Sequence, residues 1–149
     1  MIIKGFEELH KKLTELSNPI VSKEALRQGL KLGGIQVQST AKQLCPVDTG
    51  QLRNSITVES LPDNDGIVSE RIGTNVEYGV YVEFGTGIQG DPSVPHTAKE
   101  KWTYKGADGK FYTTSGQPPQ PYLYPALAAN TDNVLNLVKT TLQEEIRKR

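Results

Sequence analysis

The sequence is poor in the residues that most chemistry needs. It has one cysteine, Cys45, so no disulfide can form within the chain and no thiolate pair can hold zinc. Its two histidines, His10 and His96, lie far apart. No apolar run reaches the roughly 20 residues that a membrane-spanning helix needs. The start, Met1-Ile-Ile-Lys-Gly-Phe-Glu-Glu8, becomes charged too early for a signal peptide, so synthesis and residence in a reducing cytoplasm are expected. Net charge is absent too: Lys+Arg and Asp+Glu each total 17. Nothing in that balance draws the chain to nucleic acid or to a lipid surface. Hydrophobic residues make up 36%, below the share of most compact globules, so part of the chain is expected to be loop or partner-facing surface.

What is present is unevenly distributed. Residues 1–54 hold eight basic and five acidic side chains, residues 55–95 hold one and seven, and residues 96–149 hold eight and five. An acidic centre between basic ends suits head-to-tail contact between copies, and equally a fold that pairs its own charges. The 149 residues are expected to form one domain with a real core.

Phe6, Leu9, Leu13 and Leu16 recur at helical spacing and predict a short first helix, stopped by Asn18-Pro19. A longer helix should follow, with Ser22 as its cap and Leu26, Leu30, Gly33, Val37, Ala41 and Leu44 on one stripe. The mid-helix pair Gly33-Gly34 costs roughly 1 kcal/mol per glycine against alanine, which points to close packing or a bend. Pro46 ends that helix. Strands are expected over 55–61 and 67–73, joined by the turn Pro62-Asp-Asn-Asp-Gly66. Val76, Tyr78, Val80, Val82 and Phe84 alternate and predict a strand over 77–84, although Asn75 as cap and Gly85 as terminator would also permit a short helix. Residues 85–121 are too long and too rich in Gly and Pro for a passive connector. Within them Trp102, Tyr104, Phe111 and Tyr112 predict a small hairpin with aromatic cross-strand pairs, an arm that is mobile in the free protein and docks on a partner. Leu127, Val134, Leu135, Val138, Leu142 and Ile146 mark the apolar side of a C-terminal helix. The fold class expected is therefore α+β: a small antiparallel sheet against one long helix in the N-terminal half and one at the C-terminus.

The sharpest chemical motif is Asp48-Thr49-Gly50, the core triplet of aspartic proteases. A homodimer would bring two copies of Asp48 together to share a proton. The context opposes it, because a helix rather than a hydrophobic strand precedes the triplet and Gln51 follows it. The alternative is a helix-to-strand corner, with Asp48 and Thr49 bonding nearby backbone N–H groups, Gly50 supplying a left-handed angle, and Leu52 entering the core beside Arg53. Cys45 fits a buried helix end better than a nucleophile. Glu77 and Glu83 could pair as carboxylates, but a solvated face is the reading preferred. Tyr78, Tyr81, Tyr122 and Tyr124 lack the basic neighbours of a base-stacking platform. No catalytic, metal or cofactor set emerges.

Four segments in order carry a resemblance: Pro46-Val-Asp-Thr-Gly-Gln-Leu-Arg-Asn-Ser-Ile56, Gly73-Thr-Asn-Val76, Tyr78-Gly-Val-Tyr-Val-Glu-Phe-Gly-Thr-Gly87 and Gln117-Pro-Pro-Gln-Pro-Tyr-Leu-Tyr-Pro-Ala-Leu127. Together they resemble the tail-component or neck-protein family of tailed bacteriophages and prophages, founded on gene product ten of a lambdoid phage. Tyr122 stands where the family usually has phenylalanine, and Gly79 where alanine is common. The resemblance implies a non-enzymatic α+β subunit of the head–tail junction, found in the virion and, during assembly, in the host cytoplasm. Its implied partners are copies of itself and connector, tail-terminator and tail-tube proteins, with DNA only passing through and no cofactor. The interface is expected to involve Tyr81, Glu83, Phe84, Trp102, Tyr104, Phe111, Tyr112, Tyr122 and Tyr124. Glu59, Asp63, Asp65, Glu70, Glu77 or Glu83 could line a channel that repels phosphate.

Overall fold

A computed structural model of the chain describes residues 19–95 and 99–148. The short first helix expected over 6–16 lies outside the described residues. In order, the described elements are α1 (Pro19–Leu44), α2 (Gln51–Ser55), β1 (Thr57–Ser60), β2 (Glu70–Gly73), α3 (Gly79–Phe84), a 3-10 turn (Gly87–Gln89), β3 (Trp102–Lys105), β4 (Phe111–Thr114) and α4 (Leu123–Lys148). This is the α+β class expected, with two long helices and two separate two-stranded antiparallel sheets.

Among the described residues helix α1 runs from Pro19, a residue suited to the first turn of a helix. Ser22 therefore lies inside the helix rather than capping it. The buried stripe keeps Gly33, Val37 and Ala41 of the one expected but not its leucines. Ala25, Gly29, Gly33, Val37, Ala41 and Cys45 are buried, one every fourth residue, whereas Leu44 is exposed. A row of mostly small residues lets a second helix come close. That helix is α4, running antiparallel. A Cβ built on Gly29 would lie 2.7 Å from the Val138 Cα, and one on Gly33 would lie 2.9 Å from Val134 Cγ1. Further along, Asn130 is buried and donates to Thr40 Oγ1 at 2.9 Å and to the Ala126 carbonyl at 2.8 Å. The inner face of α4 is thus Ala126, Asn130, Val134 and Val138. Leu127 and Leu135, expected inside, are 50% and 62% exposed.

Gly34 looks the other way. A Cβ there would meet Val58 Cγ1 at 2.9 Å, so the β1–β2 hairpin rests on α1 at this point. The glycine pair is explained: one glycine admits α4 and its neighbour admits the sheet. In the hairpin Thr57, Val58, Glu59 and Ser60 face Gly73, Ile72, Arg71 and Glu70. The strands are shorter than expected because Pro62 ends the ladder. Asp65 (φ 47°) and Gly66 (φ 85°) then form a tight left-handed turn closed by Asn64 and Ile67. Lys23 and Arg27 of α1 both hold the Asp63 carboxylate, and these two cations keep its pKa below the usual carboxylate value. The core where these elements meet comprises Val37, Ala41, Cys45, Leu52, Ile56, Tyr122 and Ala126. Gln38 Nε2 donates to the Ile56 carbonyl at 2.7 Å and so fixes the start of β1 against α1.

The alternating run Val76–Phe84 is not a strand. It folds as helix α3, with Val82 N donating to Tyr78 O at 3.2 Å, and Gly85 (φ 72°) terminates it. The physical reason is what must be buried. Helical spacing puts Gly79 and Glu83 on one inward side, which alternation would not single out. Gly79 has no room for a side chain, since a Cβ would lie 2.8 Å from Thr74 Cγ2 and 3.0 Å from both Leu52 Cδ1 and Tyr122 Oη.

The seam between α1 and α4 makes a measurable distinction. Gly29→Ala sets its methyl against backbone and should destabilise by about 1–3 kcal/mol despite alanine's better helix propensity. Gly33→Ala meets only a side chain and should cost less. Urea denaturation of both variants checks the order, and equal or stabilising effects would contradict the packing.

Candidate functional site

The Asp48-Thr49-Gly50 triplet sits between two helices. Cys45 N closes α1 on the Ala41 carbonyl at 2.9 Å, and Gly50 (φ 83°) precedes α2 in the left-handed conformation. Thr49 Oγ1, not the Asp48 carboxylate, accepts the Gln51 N–H, at 3.4 Å. Asp48 and Thr49 are exposed, Arg53 is exposed, and Leu52 is buried in the core. A short helix therefore intervenes where the chain was expected to pass directly from corner to strand. The triplet lines a hollow of about 410 Å³ with Tyr78, Val82, Gln117 and Gln120, and no second carboxylate is among the lining residues. Among the described residues no group of three or more His, Cys, Asp or Glu side chains is placed to hold a metal.

The strongest polar construction lies elsewhere. Glu83 is 5% exposed, so it belongs to no solvated face and cannot line a channel. Its Oε2 accepts the N–H groups of Tyr122 at 2.7 Å and Leu123 at 2.9 Å, and its Oε1 accepts that of Tyr124 at 2.9 Å. These are the donors that the start of a helix leaves unpaired, and the next residue, Pro125, has none. One carboxylate from α3 thus satisfies the whole N-terminus of α4 and also opposes its dipole. Tyr122 is 0% exposed and donates to the Gly79 carbonyl at 3.4 Å. Burial first, then Cys45, Glu83 and Tyr78 nearby, push its pKa up to about 12. Cys45 is buried beside it, and burial raises its thiol pKa, against a smaller opposing pull from Arg53. Glu83 and Tyr122 were expected at an assembly interface; both are interior.

The remaining residues expected at the interface fall into two groups. Phe84 is half-buried and lines a groove of about 890 Å³ between β2, α3 and the start of α4, and Tyr124 stands on its rim. Tyr81 is exposed on the outer side of α3. The apolar walls of the groove include Leu61, Ile72, Val76, Val80 and Leu127, none of which the sequence had marked as functional. The half-exposed Val80 and Leu127 were the available signal, once 77–84 is helical.

The arm is the second group. In the β3–β4 hairpin Tyr104 faces Tyr112, with ring centroids 5.9 Å apart. Trp102 faces Thr114 and Phe111 faces Lys105, so only one of the expected aromatic pairs forms. Tyr112 Oη donates to Asp108 at 2.7 Å, which steadies the turn and holds the Asp108 pKa down. Trp102 turns to the base of the arm, where a Cβ on Gly87 would lie 2.9 Å from its ring. That base is fastened: Thr86 N donates to Gln117 O at 2.9 Å, Gln117 N to Thr86 Oγ1 at 3.2 Å, and Gln117 Nε2 to Tyr81 O at 3.1 Å. Beyond it Tyr104, Phe111 and Tyr112 stay exposed.

Three variants test the interior set. Glu83→Ala leaves three helix-terminal donors unpaired and should cost roughly 3–5 kcal/mol, with Glu83→Gln costing less because an amide oxygen still accepts. Denaturation midpoints decide this, and a neutral Glu83→Ala would refute the capping role. For Tyr122 the folded pKa is raised, so its stabilising contribution is complete below the unfolded value of about 10 and is lost as pH climbs through about 12. Stability should fall by about 2–3 kcal/mol more over that interval in the wild type than in Tyr122→Phe, measured by denaturant titration at each pH. Parallel curves would show that the phenol is not held neutral by the fold.

Comparison with known proteins gives one family. Residues 7–85 match the model of the HK97-gp10-like family, described as "Bacteriophage HK97-gp10, putative tail-component". No curated protein and no solved structure matches the chain. The matched span runs from before α1 through the triplet, the β1–β2 hairpin and α3 to Gly85, more than half of the chain, and the chain belongs to the HK97-gp10-like family of phage tail components.

Proposed function

We propose that this chain is a non-enzymatic structural subunit of the head–tail junction. It completes or joins the tail by assembling with copies of itself and by docking on connector and tail proteins. Residues 1–149 act as one unit, with 85–121 as an arm. The subunit works in the virion and gathers in the host cytoplasm during assembly. Family membership supports the tail role. The observation that carries the docking part is the arm: a hairpin fastened at its base that holds Tyr104, Phe111 and Tyr112 in solvent. Large exposed aromatics on a firm support are what interfaces use as anchors, because little side-chain entropy is lost on binding. In a neck that passes DNA, the exposed carboxylate of Asp65 at the tip of the β1–β2 hairpin is the acidic group that faces the lumen, since Asp63 is held by Lys23 and Arg27 and Glu59 by Arg71.

The test is a phage that encodes this chain and from which its gene is deleted. Electron microscopy of the lysate should show filled heads and tails left unjoined, and the chain supplied in trans should restore virions. The Asp48→Asn chain should restore them equally well, since Asp48 is exposed and Thr49 makes the corner bond. Normal virions without the chain would overturn the junction role. Restoration by wild type but not by Asp48→Asn would instead favour a carboxylate chemistry.

A further inference from the structure

We infer that the arm of one copy docks into the groove between β2, α3 and the start of α4 of a second copy, with Phe111 as its anchor. This rests on the self-assembly reading and names the surfaces. The two surfaces match in three respects. In size, the groove of about 890 Å³ is large enough for aromatic side chains. In polarity, its walls include Ile72, Val76, Val80 and Leu127, while Phe111 is 73% exposed at the start of β4. Burying a phenylalanine side chain takes a large apolar area out of water.

Charge is the third respect. Over residues 101–114 the arm exposes Lys101, Lys105 and Lys110 against one carboxylate, Asp108, which is turned to Tyr112, and Lys105 stands directly opposite Phe111 in the hairpin. The groove carries Glu70 and Glu77, and its one lining cation, Arg71, is turned to Glu59 in an ion pair at 3.5 Å. One Glu70 oxygen accepts from Ser60 at 2.7 Å, and the other is buried with no hydrogen-bond partner among the described residues. A basic arm with an apolar anchor therefore meets an apolar groove with an acidic edge, and the long-range charge orients the approach. The arm does not occupy its own groove, because Phe111, Val80 and Leu127 are all left exposed. Arm and groove are different surfaces, so the contact is heterologous. Repeated head to tail, it generates a ring where the rotation closes.

Two measurements test this on the full chain. In the first, Phe111→Cys protein is mixed with Val80→Cys protein and oxidised. Covalent dimers holding one chain of each kind should exceed those from either protein alone. In the second, sedimentation equilibrium should show self-association of the wild type weakened roughly 30-fold by Phe111→Ser. Lys105→Glu with Lys110→Glu should weaken it about tenfold, with much of the loss regained on adding Glu77→Lys.

Three results would overturn the inference. One is a disulfide formed only within a chain carrying both cysteine substitutions, which would put the arm in its own groove. Another is a disulfide from Val80→Cys to Leu13→Cys of the same chain in place of the mixed dimer, which would give the groove to the first residues of the sequence. The third is self-association that is absent, or unchanged by Phe111→Ser. Circular dichroism of each variant separates misfolding from lost docking, since Phe111 and Lys105 are exposed. The joining assay on the deletion phage stands apart from these results, so the docking can fail while the junction role survives.

Discussion

The Glu83 carboxylate is the interaction on which the described architecture depends. A helix of 26 residues begins at Leu123, and its free N–H groups would be costly if left dry against the core. Glu83 receives three of them, and Pro125 removes the need for a fourth. For this to happen, α3 must present Glu83 inward, which sets the helical conformation of 79–84 and requires Gly79 one turn earlier on the same side. Gly79 in turn makes room for Leu52 from the corner and for the Tyr122 hydroxyl from the start of α4. One ion thus ties together three segments far apart in sequence.

The second constraint is the close approach of α1 and α4. Small side chains at every fourth position of α1 bring backbone near backbone, and Val134 and Val138 fill what the glycines leave open. Glycine's poor helix propensity is offset by packing that a larger residue would prevent. Asn130 adds a polar contact inside the seam, where both its hydrogens are satisfied. The seam and the cap act on the same helix: one holds its side, the other its start. Together they fix the direction in which Tyr124 and Leu127 face the groove.

The sequence revealed the fold wherever a feature is local. Pro46 and Gly50 mark the corner, Asp65-Gly66 the tight turn, and the spacing of Trp102 to Thr114 the arm, and all three are where those residues put them. It misled where burial is decided at a distance. The alternation of Val76 to Phe84 suggested a strand, because nothing in those nine residues says that Glu83 has a helix to cap 40 positions later. Leu44, Leu127 and Leu135 looked like core, because hydrophobicity alone cannot register that small residues were needed at the seam. The groove escaped notice for the same reason, since its walls come from four segments. The triplet at Asp48 reads as chemistry in the sequence, whereas in the fold it lies where the chain turns: Gly50 supplies the angle and Thr49 the bond.

The position of the arm follows from these constraints. The family match ends at Gly85, one residue after α3 and two after the capping glutamate, while the helix that is capped begins at Leu123. The chain between them has to leave and return without disturbing the cap. It does so by closing on itself: Thr86 N donates to the Gln117 carbonyl, Gln117 N donates back to Thr86 Oγ1, and Gln120 N donates to the Val82 carbonyl at 2.8 Å. Gly85, Gly87 and Gly116 adopt positive φ at this junction, where a Cβ would meet opposing backbone at 2.6, 2.2 and 1.9 Å. With its two ends clamped, the excursion carries its closure cost at the base, and extra length beyond the clamp adds little, because that cost grows only with the logarithm of loop length. The arm can therefore vary in length and side chains while α3, the cap and α4 stay as they are. A docking element placed there is free to fit a partner without altering the body that presents it.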